Sequence, residues 1–392
     1  MTITSETVIG QNSTLADAVK DRASARYLFG LALFLATTIP FIAAALKYAF
    51  PNFVAISVQQ VVMFLAGIHV PLTAYLFFDP KIRKYMVQRP IALIGGPILI
   101  FGICFLVFLS TWKSRETGHA WPAVYFMLAV LTWNFWHFGK QNIGVYSFFR
   151  ISQSLSAAAP VERNLILFGS ALGTLAIFHV AGAGYIKLYA HNETFPVLST
   201  IYGYVGSSAK ILQYALLAFV IGYASFNWQR FTWKSAVVFL LCANFFFPQF
   251  LTMDKPDWAV VFACSSLSHG AQYCVFLGSH AAQYQKDQTE GGMPPPSSRI
   301  GSIVMCAIIV VMAAFLGEVL LYNTFIPKDY FSTLAAKAFG RGDMVAAVVD
   351  SVMIGILLTH FWLDSFFWRF KKPEPRQWML NRYAFLFNSR KQ

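Results

Sequence analysis

Long apolar runs separated by short polar stretches dominate the chain. Several runs reach the roughly 20 residues that an α-helix needs to cross a hydrocarbon core of about 30 Å. The pattern predicts ten membrane spans, at about residues 27–48, 53–78, 91–112, 121–149, 164–186, 208–226, 235–253, 257–281, 300–322 and 344–369. Span 208–226 has the least support, because the stretch before it is rich in Ser, Gly and Tyr. The predicted fold is an all-α, polytopic bundle of transmembrane helices.

Basic residues are distributed unevenly between the two sets of connecting loops. Most of the 30 lysine and arginine residues lie in the two terminal segments and in the loops after spans 2, 4, 6 and 8. The positive-inside rule therefore predicts that both termini are cytoplasmic. The predicted parts are a cytoplasmic segment 1–26, a single transmembrane domain 27–369 and a basic, aromatic cytoplasmic tail 370–392. The tail suits either a segment lying on anionic lipid or an ordinary stop-transfer tail, and loops 282–299 and 323–343 are predicted linkers.

The composition is typical of a membrane protein and limits the kinds of partner that are expected. The chain is 57% hydrophobic and only 12% charged, whereas soluble domains average about 25% charged residues. In such a chain the net charge of +13 reflects basic residues that hold the loops on the cytoplasmic side rather than nucleic-acid binding. The expected partners are the lipid bilayer and an apolar small molecule, and the expected location is a bacterial inner membrane.

Four of the eight histidines lie at similar depths in predicted spans that run in the same direction: His69, His137, His269 and His360. At 1.5 Å per residue, three of them lie about 24 Å from the outer end of their span and His269 about 18 Å. Ionisable groups within spans mostly face the bundle interior and mark function. The pattern predicts one buried metal site with these four ligands. Interhelical hydrogen bonding and a proton or substrate pathway are the alternatives.

Polar residues follow the predicted ligands by about one helical turn, and such neighbours share a helix face. They are Gln141 and Asn142 after His137, Gln272 and Tyr273 after His269, Asp364 after His360, and only Thr73 after His69. The three amides are predicted to lie around the cofactor and orient its ligands. Tyr273 and Asp364 are candidate catalytic groups. Because a metal-bound imidazole usually donates its second N–H to a carboxylate or carbonyl, Asp364 is expected to pair with His360 or to bind the metal itself.

The donor set limits the choice of metal. The sequence has no HxxxH, HxxHH or HExxH motif, which argues against membrane di-iron desaturases and zinc proteases. Four imidazoles with few carboxylates suit one iron, zinc or copper ion, and Fe(II) is the leading candidate. Two facing histidines could instead hold a haem axially.

Two of the histidine stretches resemble those of a known family. The stretches "WHFGKQN" (136–142) and "LSHGAQY" (267–273) are similar to the histidine motifs of the Brp/Blh family. Its members are multi-span bacterial and archaeal membrane proteins associated with cleaving β-carotene to retinal, with iron held by four histidines. A third stretch, "THFWLDSFFWRFKKPEPR" (359–376), is similar to a motif of uncharacterised histidine-rich bacterial membrane proteins. The resemblance implies ligand roles for His137 and His269, although the family's closely spaced histidine pair is absent here.

These observations predict a membrane-embedded, metal-dependent oxidoreductase or oxygenase that acts on a lipid or isoprenoid. The stretches "WNFWHF", "HFWLDSFFWRF" and "ANFFFPQF" concentrate aromatic rings near the predicted site, which suits a long apolar substrate. A transporter or channel, with His360 and Asp364 as a proton relay, is a second prediction. A haem-binding membrane subunit is a third.

Overall fold

The computed structural model describes residues 5–50, 70, 73, 79–114, 121–177, 196–251, 263–291, 344–368 and 372–387. Within these ranges almost every residue is helical and no strand occurs, so the all-α class is confirmed. The helices are α1 (Ser5–Ala49), α2 (Pro80–Val87), α3 (Gly96–Ser114), α4 (Trp121–Ser152), α5 (Pro160–Ile177), α6 (Pro196–Phe226), α7 (Trp233–Ala243), α8 (Phe247–Leu251), α9 (Ser268–Gly291), α10 (Met344–Phe367) and α11 (Pro373–Arg382). Spans 53–78 and 300–322 and linker 323–343 lie almost entirely outside the described residues.

Among the described residues, three helical stretches are long and apolar enough to cross a membrane by length and composition. They are Lys20–Leu46, Ile91–Ser110 and Gly203–Phe226. The last contains the span that the sequence supported least. Its Ser- and Gly-rich flank is helical, as is common for small residues in apolar helices. The number of spans and the sides of the two termini stay predictions.

Two sequence predictions about helix boundaries were wrong. Predicted span 235–253 is interrupted, because α7 ends at Ala243 and α8 begins at Phe247. The Asn244 side chain donates to the Leu240 carbonyl at 3.0 Å, a local hydrogen bond that competes with helix continuation, and Pro248 suits the first turn of a new helix. Linker 282–299 is helical as far as Gly291, because Ala, Gln, Lys and Glu in this stretch favour a helix.

Close helix pairs hold the bundle together. α10 packs along α3, α4 along α5, and α1 along α9. The larger core lies between α1, α4, α5, α7 and α9, and its fully buried side chains include Leu33, Tyr146, Ile166 and Phe239. A smaller core joins α2, α9 and α10 through Ile82, Tyr273 and Leu363. The three helices that carry His137, His269 and His360 therefore meet inside the bundle.

Gly139 permits the close approach of α4 and α5. A Cβ atom at this position would lie 2.1 Å from Ser170 Oγ and 3.1 Å from its Cα, so one of the two helices would have to move. We expect Gly139→Ala to destabilise the protein by about 1–3 kcal/mol, the usual cost of overpacking. Thermal unfolding in detergent measures this. Gly144→Ala on the same helix, where nothing lies within 4 Å, is the matched control; an equal shift in both variants would contradict the contact.

The C-terminal segment folds back onto the bundle. Tyr383 is fully buried and donates to the Phe276 carbonyl on α9 at 2.8 Å, while Met379 and Leu386 are buried beside it. Arg382 on α11 donates to Asp79 Oδ2 at 2.8 Å. The buried side chains of this segment therefore pack on protein, and contact of its exposed face with anionic lipid stays a prediction.

Asp79 is the centre of the buried contacts that hold α11 in place. Burial raises the pKa of Asp79, but hydrogen bonds from Trp378, the Lys81 N–H and Arg382 outweigh it, so the pKa lies below its ordinary value. A carboxyl group whose pKa falls on folding stabilises the folded state above its unfolded pKa of about 3.9. That stabilisation is lost as the pH falls through the lower native pKa.

We therefore expect the docking of α11 to weaken below about pH 4. Hydrogen exchange of the peptide covering Pro373–Arg382 measures the docking. Asp79→Asn should remove this pH dependence, whereas Asp79→Ala removes a buried carboxylate that pairs with Arg382 and should cost about 3–5 kcal/mol. Protection factors, corrected for the intrinsic effect of pH on exchange, that do not change between pH 6 and pH 3 in the natural protein would contradict the role of Asp79.

Candidate metal centre

Three of the four predicted histidines form one cluster. His137 on α4, His269 on α9 and His360 on α10 each place one ring nitrogen within 4.8 Å of those of the other two. The ring centroids are 5.2 Å apart for His137 and His269 and 5.6 Å apart for His137 and His360. His69 lies outside the described residues. The sequence predicted a similar depth for these histidines. In the structure, the side chains of the three that are described lie next to one another.

The backbone geometry at the start of α9 sets the position of His269. It is the second residue of α9 and follows a turn of π-helix at Ala263–Leu267. Such turns contain an additional residue, redirect the side chains that follow and are frequent at functional sites. Ser268 donates to the Ala36 carbonyl at 3.2 Å, which ties this junction to α1. The π-helical turn was not predictable from the apolar pattern.

The cluster lies in the protein interior. His269 and His360 are 0% and 2% exposed, and the side chain of His137 is 13% exposed. Aromatic rings cover it, with Phe138 4.2 Å from the His269 ring and Phe361 4.6 Å from the His137 ring. Because bulk water is largely excluded, buried ring nitrogens here need protein groups or an ion as partners.

The carboxylate of Asp364 lies at ligand spacing from two of the imidazoles. Asp364 Oδ2 is 3.7 Å from Nε2 of His137 and 3.7 Å from Nε2 of His360. These distances are too long for hydrogen bonds. Two ligands bound at about 2.1 Å to one tetrahedral ion lie roughly 3.4 Å apart. The three atoms therefore fit a metal site, and Oδ2 makes no hydrogen bond to any described residue.

A chain of polar contacts leads from Asp364 to the far nitrogen of His360. Tyr273 donates to Asp364 Oδ1 at 3.0 Å, so the 2.7 Å hydrogen bond between Thr73 and Tyr273 uses the threonine proton. Thr73 Oγ1 then accepts from His360 Nδ1 at 2.5 Å. With its proton on Nδ1, His360 carries its lone pair on Nε2. The contacts thus prepare Nε2 to bind an ion.

Sequence reasoning assigned no role to Thr73. It is 3% exposed and contacts both Tyr273 and His360, although it comes from a different part of the chain. The available signal was its position one turn after His69, which matches the position of Asp364 after His360. Asp364 lies beside His360, as the sequence predicted.

None of the predicted amides makes a hydrogen bond to a described imidazole. Gln272 Nε2 donates to Thr37 Oγ1 at 3.1 Å and to Ser268 Oγ at 3.2 Å, and its distance to Asn142 Oδ1 is 3.5 Å. These contacts join α1, α4 and α9. Gln141 is half-buried and makes no side-chain hydrogen bond within the described ranges. The role of the three amides in orienting the cofactor's ligands stays a prediction, because the hydrogen bonds of Asn142 and Gln272 run to other groups.

Helix geometry explains this difference. Asn142 follows His137 by five residues, so the two side chains point about 140° apart around the helix axis. Gln272 has a suitable spacing from His269, but acceptors on α1 and on its own helix hold it on another side. We assign these amides to helix association, as is common for buried amides between spans.

No protein-family model matches the chain, and no curated protein or solved structure is significantly similar to it. The similarity of "WHFGKQN" and "LSHGAQY" to the Brp/Blh motifs therefore stays a prediction. His137 and His269 are the histidines of those two stretches, and both belong to the cluster.

Proposed function

We propose that the protein is a multi-pass membrane protein that holds one metal ion between His137, His269 and His360. The observation that carries the proposal is the convergence of three buried ring nitrogens within 4.8 Å, contributed by three helices. Asp364 is a further ligand, because its Oδ2 lies 3.7 Å from two of the imidazoles. His69 is proposed as an additional ligand on its position in the sequence alone.

The donor set favours a bare transition-metal ion, and Fe(II) is the proposed ion. Imidazoles combined with one carboxylate are typical of non-haem iron sites, although they also suit zinc or copper. A haem is disfavoured by geometry. A porphyrin between any two of these imidazoles would collide with the third, because all three ligand nitrogens lie within 4.8 Å of one another.

The surroundings support oxidoreductase chemistry on a lipid or isoprenoid. When bound, iron would supply redox chemistry. Aromatic rings extend from the cluster in two directions, with Trp133 6.3 Å from Phe361 and Phe135 5.3 Å from Phe246. Such a lining suits an apolar molecule and excludes water. Tyr273 is the proposed proton donor, and its hydrogen bond to Asp364 Oδ1 holds its hydroxyl beside the cluster.

Oxygen consumption by the iron-loaded protein in lipid nanodiscs tests this function. We expect iron-dependent consumption and an oxidised product when a polyene isoprenoid is supplied. Tyr273→Phe should slow turnover by roughly 100-fold or more, as for a lost proton donor, when measured at saturating iron, because the lost hydrogen bond to Asp364 also weakens iron binding. The control is Tyr383→Phe, a buried tyrosine outside the cluster. Stoichiometric iron without consumption across polyene and isoprenoid lipids would contradict the activity but not the metal site.

A proton or substrate pathway is the second candidate, favoured by the contacts that join Thr73, Tyr273, Asp364 and His360. A continuous series of hydrogen-bonding groups is what proton transfer through a membrane requires. Proton flux into liposomes that contain metal-free protein would favour this function. Flux that is absent in metal-free protein would favour the oxidoreductase.

Both termini are expected on the cytoplasmic side, because the basic residues concentrate in the segments predicted there. Reporter fusions at Met1 and Gln392 measure this. Alkaline phosphatase should be inactive at both ends and a cytoplasmic fluorescent reporter should be bright. An active phosphatase at Gln392 alone would require an odd number of spans and would contradict the ten-span arrangement.

A further inference from the structure

A groove lies on the surface between α2 and α11, beside the end of α10. Its volume is about 340 Å3. One wall carries Lys81 and Lys84 of α2, and the other carries Gln377, Trp378 and Asn381 of α11. It contains none of the three clustered histidines and is a separate feature of the protein.

The charge of the groove is positive. Lys81 and Lys84 are both exposed on the same helix. Glu374 also lines the groove, but Arg89 lies 3.4 Å from its carboxylate and offsets its charge. The nearby carboxylate of Asp79 is buried and bound by Arg382. The two ammonium groups therefore give the groove an excess of positive charge, which favours an anionic ligand.

The floor of the groove is apolar. Ile82 is 3% exposed and Phe367 is 2% exposed, and the half-buried rings of Tyr85 and Trp378 lie beside them. The Trp378 indole is fixed by its hydrogen bond to Asp79 at 3.1 Å. A ligand with both an anionic group and an apolar chain would use both parts of this surface, whereas a small inorganic anion would use only the lysines.

The groove lies next to the boundary of an apolar stretch. Gln88, which lines it, is three residues before Ile91, where a stretch long and apolar enough to cross a membrane begins. In a bilayer this position corresponds to the headgroup region, a placement that rests on the membrane assignment of the proposed function. Basic residues near that region are attracted to anionic lipids.

We propose that this groove binds the phosphate group of an anionic glycerophospholipid. Lys81 and Lys84 contact the phosphate, and Ile82 and Phe367 contact the upper part of an acyl chain. The bound lipid lies against α2 and α11 and so links the docked C-terminal segment to the surrounding bilayer. An isolated phosphate lacks the apolar chain, and a zwitterionic lipid lacks the net negative charge.

Titration of the detergent-purified full chain with short-chain phosphatidylglycerol tests the groove. Lys81→Gln combined with Lys84→Gln should weaken binding by roughly 10- to 30-fold, as expected for two basic residues at a lipid surface. The control is Arg83→Gln combined with Arg376→Gln. This variant removes the same charge from exposed positions on α2 and α11 that do not line the groove, and it should leave the affinity unchanged.

Two parallel titrations identify the ligand class. Phosphatidylcholine of the same chain length and inorganic phosphate should each bind at least about tenfold more weakly than phosphatidylglycerol. Equal weakening in both double variants, or inorganic phosphate binding as tightly as the lipid, would overturn the proposal. Metal content is measured on the same samples, so a failed metal site and a failed lipid groove are distinguishable.

Discussion

Replacing His269 with asparagine is expected to abolish stoichiometric metal binding by the purified protein. The side chain is fully buried, and its ring nitrogen lies within 4.8 Å of those of His137 and His360. Removing a partner outside the ligand set typically weakens metal binding 10- to 100-fold, so loss of a ligand should exceed about 100-fold. The asparagine amide is polar but too short to reach the same point. Iron retained at one equivalent per chain would contradict this role.

His280→Asn is the matched control for this experiment. His280 lies on the same helix and is equally buried, at 2% exposed. Its Nε2 atom lies 3.8 Å from Asp79 Oδ2, far along the helix from the cluster. The control should keep its metal while it weakens the docking of α11. If both variants lose metal to the same extent, the effect reflects general destabilisation rather than lost coordination.

Asp364→Asn is expected to lower metal affinity by at least roughly 10- to 100-fold. The change keeps the shape of the side chain and the hydrogen bond with Tyr273, so folding should survive. It removes the negative charge that lies 3.7 Å from Nε2 of His137 and of His360. Isothermal titration with Fe(II) under anaerobic conditions measures the affinity of both proteins.

Glu162→Gln provides the control for a buried carboxylate. Glu162 is fully buried on α5 and pairs with Arg150 at 3.3 Å, so its substitution should lower stability without changing the metal affinity. If the protein is instead a proton pathway, Asp364→Asn would abolish proton flux and leave the amount of bound metal unchanged. Unchanged affinity in this variant would therefore remove Asp364 from the metal site.

The depth of each histidine was predictable because an α-helix is a rigid rod with a constant rise of 1.5 Å per residue. A count along the sequence could therefore place His137, His269 and His360 at one level before any contact was known. Depth does not specify direction around the helix. Gln272 follows His269 by three residues, nearly the spacing of four between His360 and Asp364, yet it points toward Thr37 on α1.

Contacts between distant segments were the least predictable part of the site. Thr73 was assigned no role because only its neighbours in the sequence were considered, whereas it contacts Tyr273 and His360 on two separate helices. The buried position of Tyr383 was missed for a related reason. An aromatic side chain gains similarly from burial in lipid or in protein, so composition alone could not distinguish the two environments.

We propose that His137, His269 and His360 bind one metal ion together. Metal analysis of the purified natural protein, followed by X-ray absorption spectroscopy at the edge of the metal found, tests it most directly. We predict about one ion per chain, no Soret band, and metal–ligand distances of about 2.0–2.2 Å to a set of ligands that includes at least three imidazoles. A Soret band, substoichiometric metal after reconstitution, or a first shell without imidazole would contradict it.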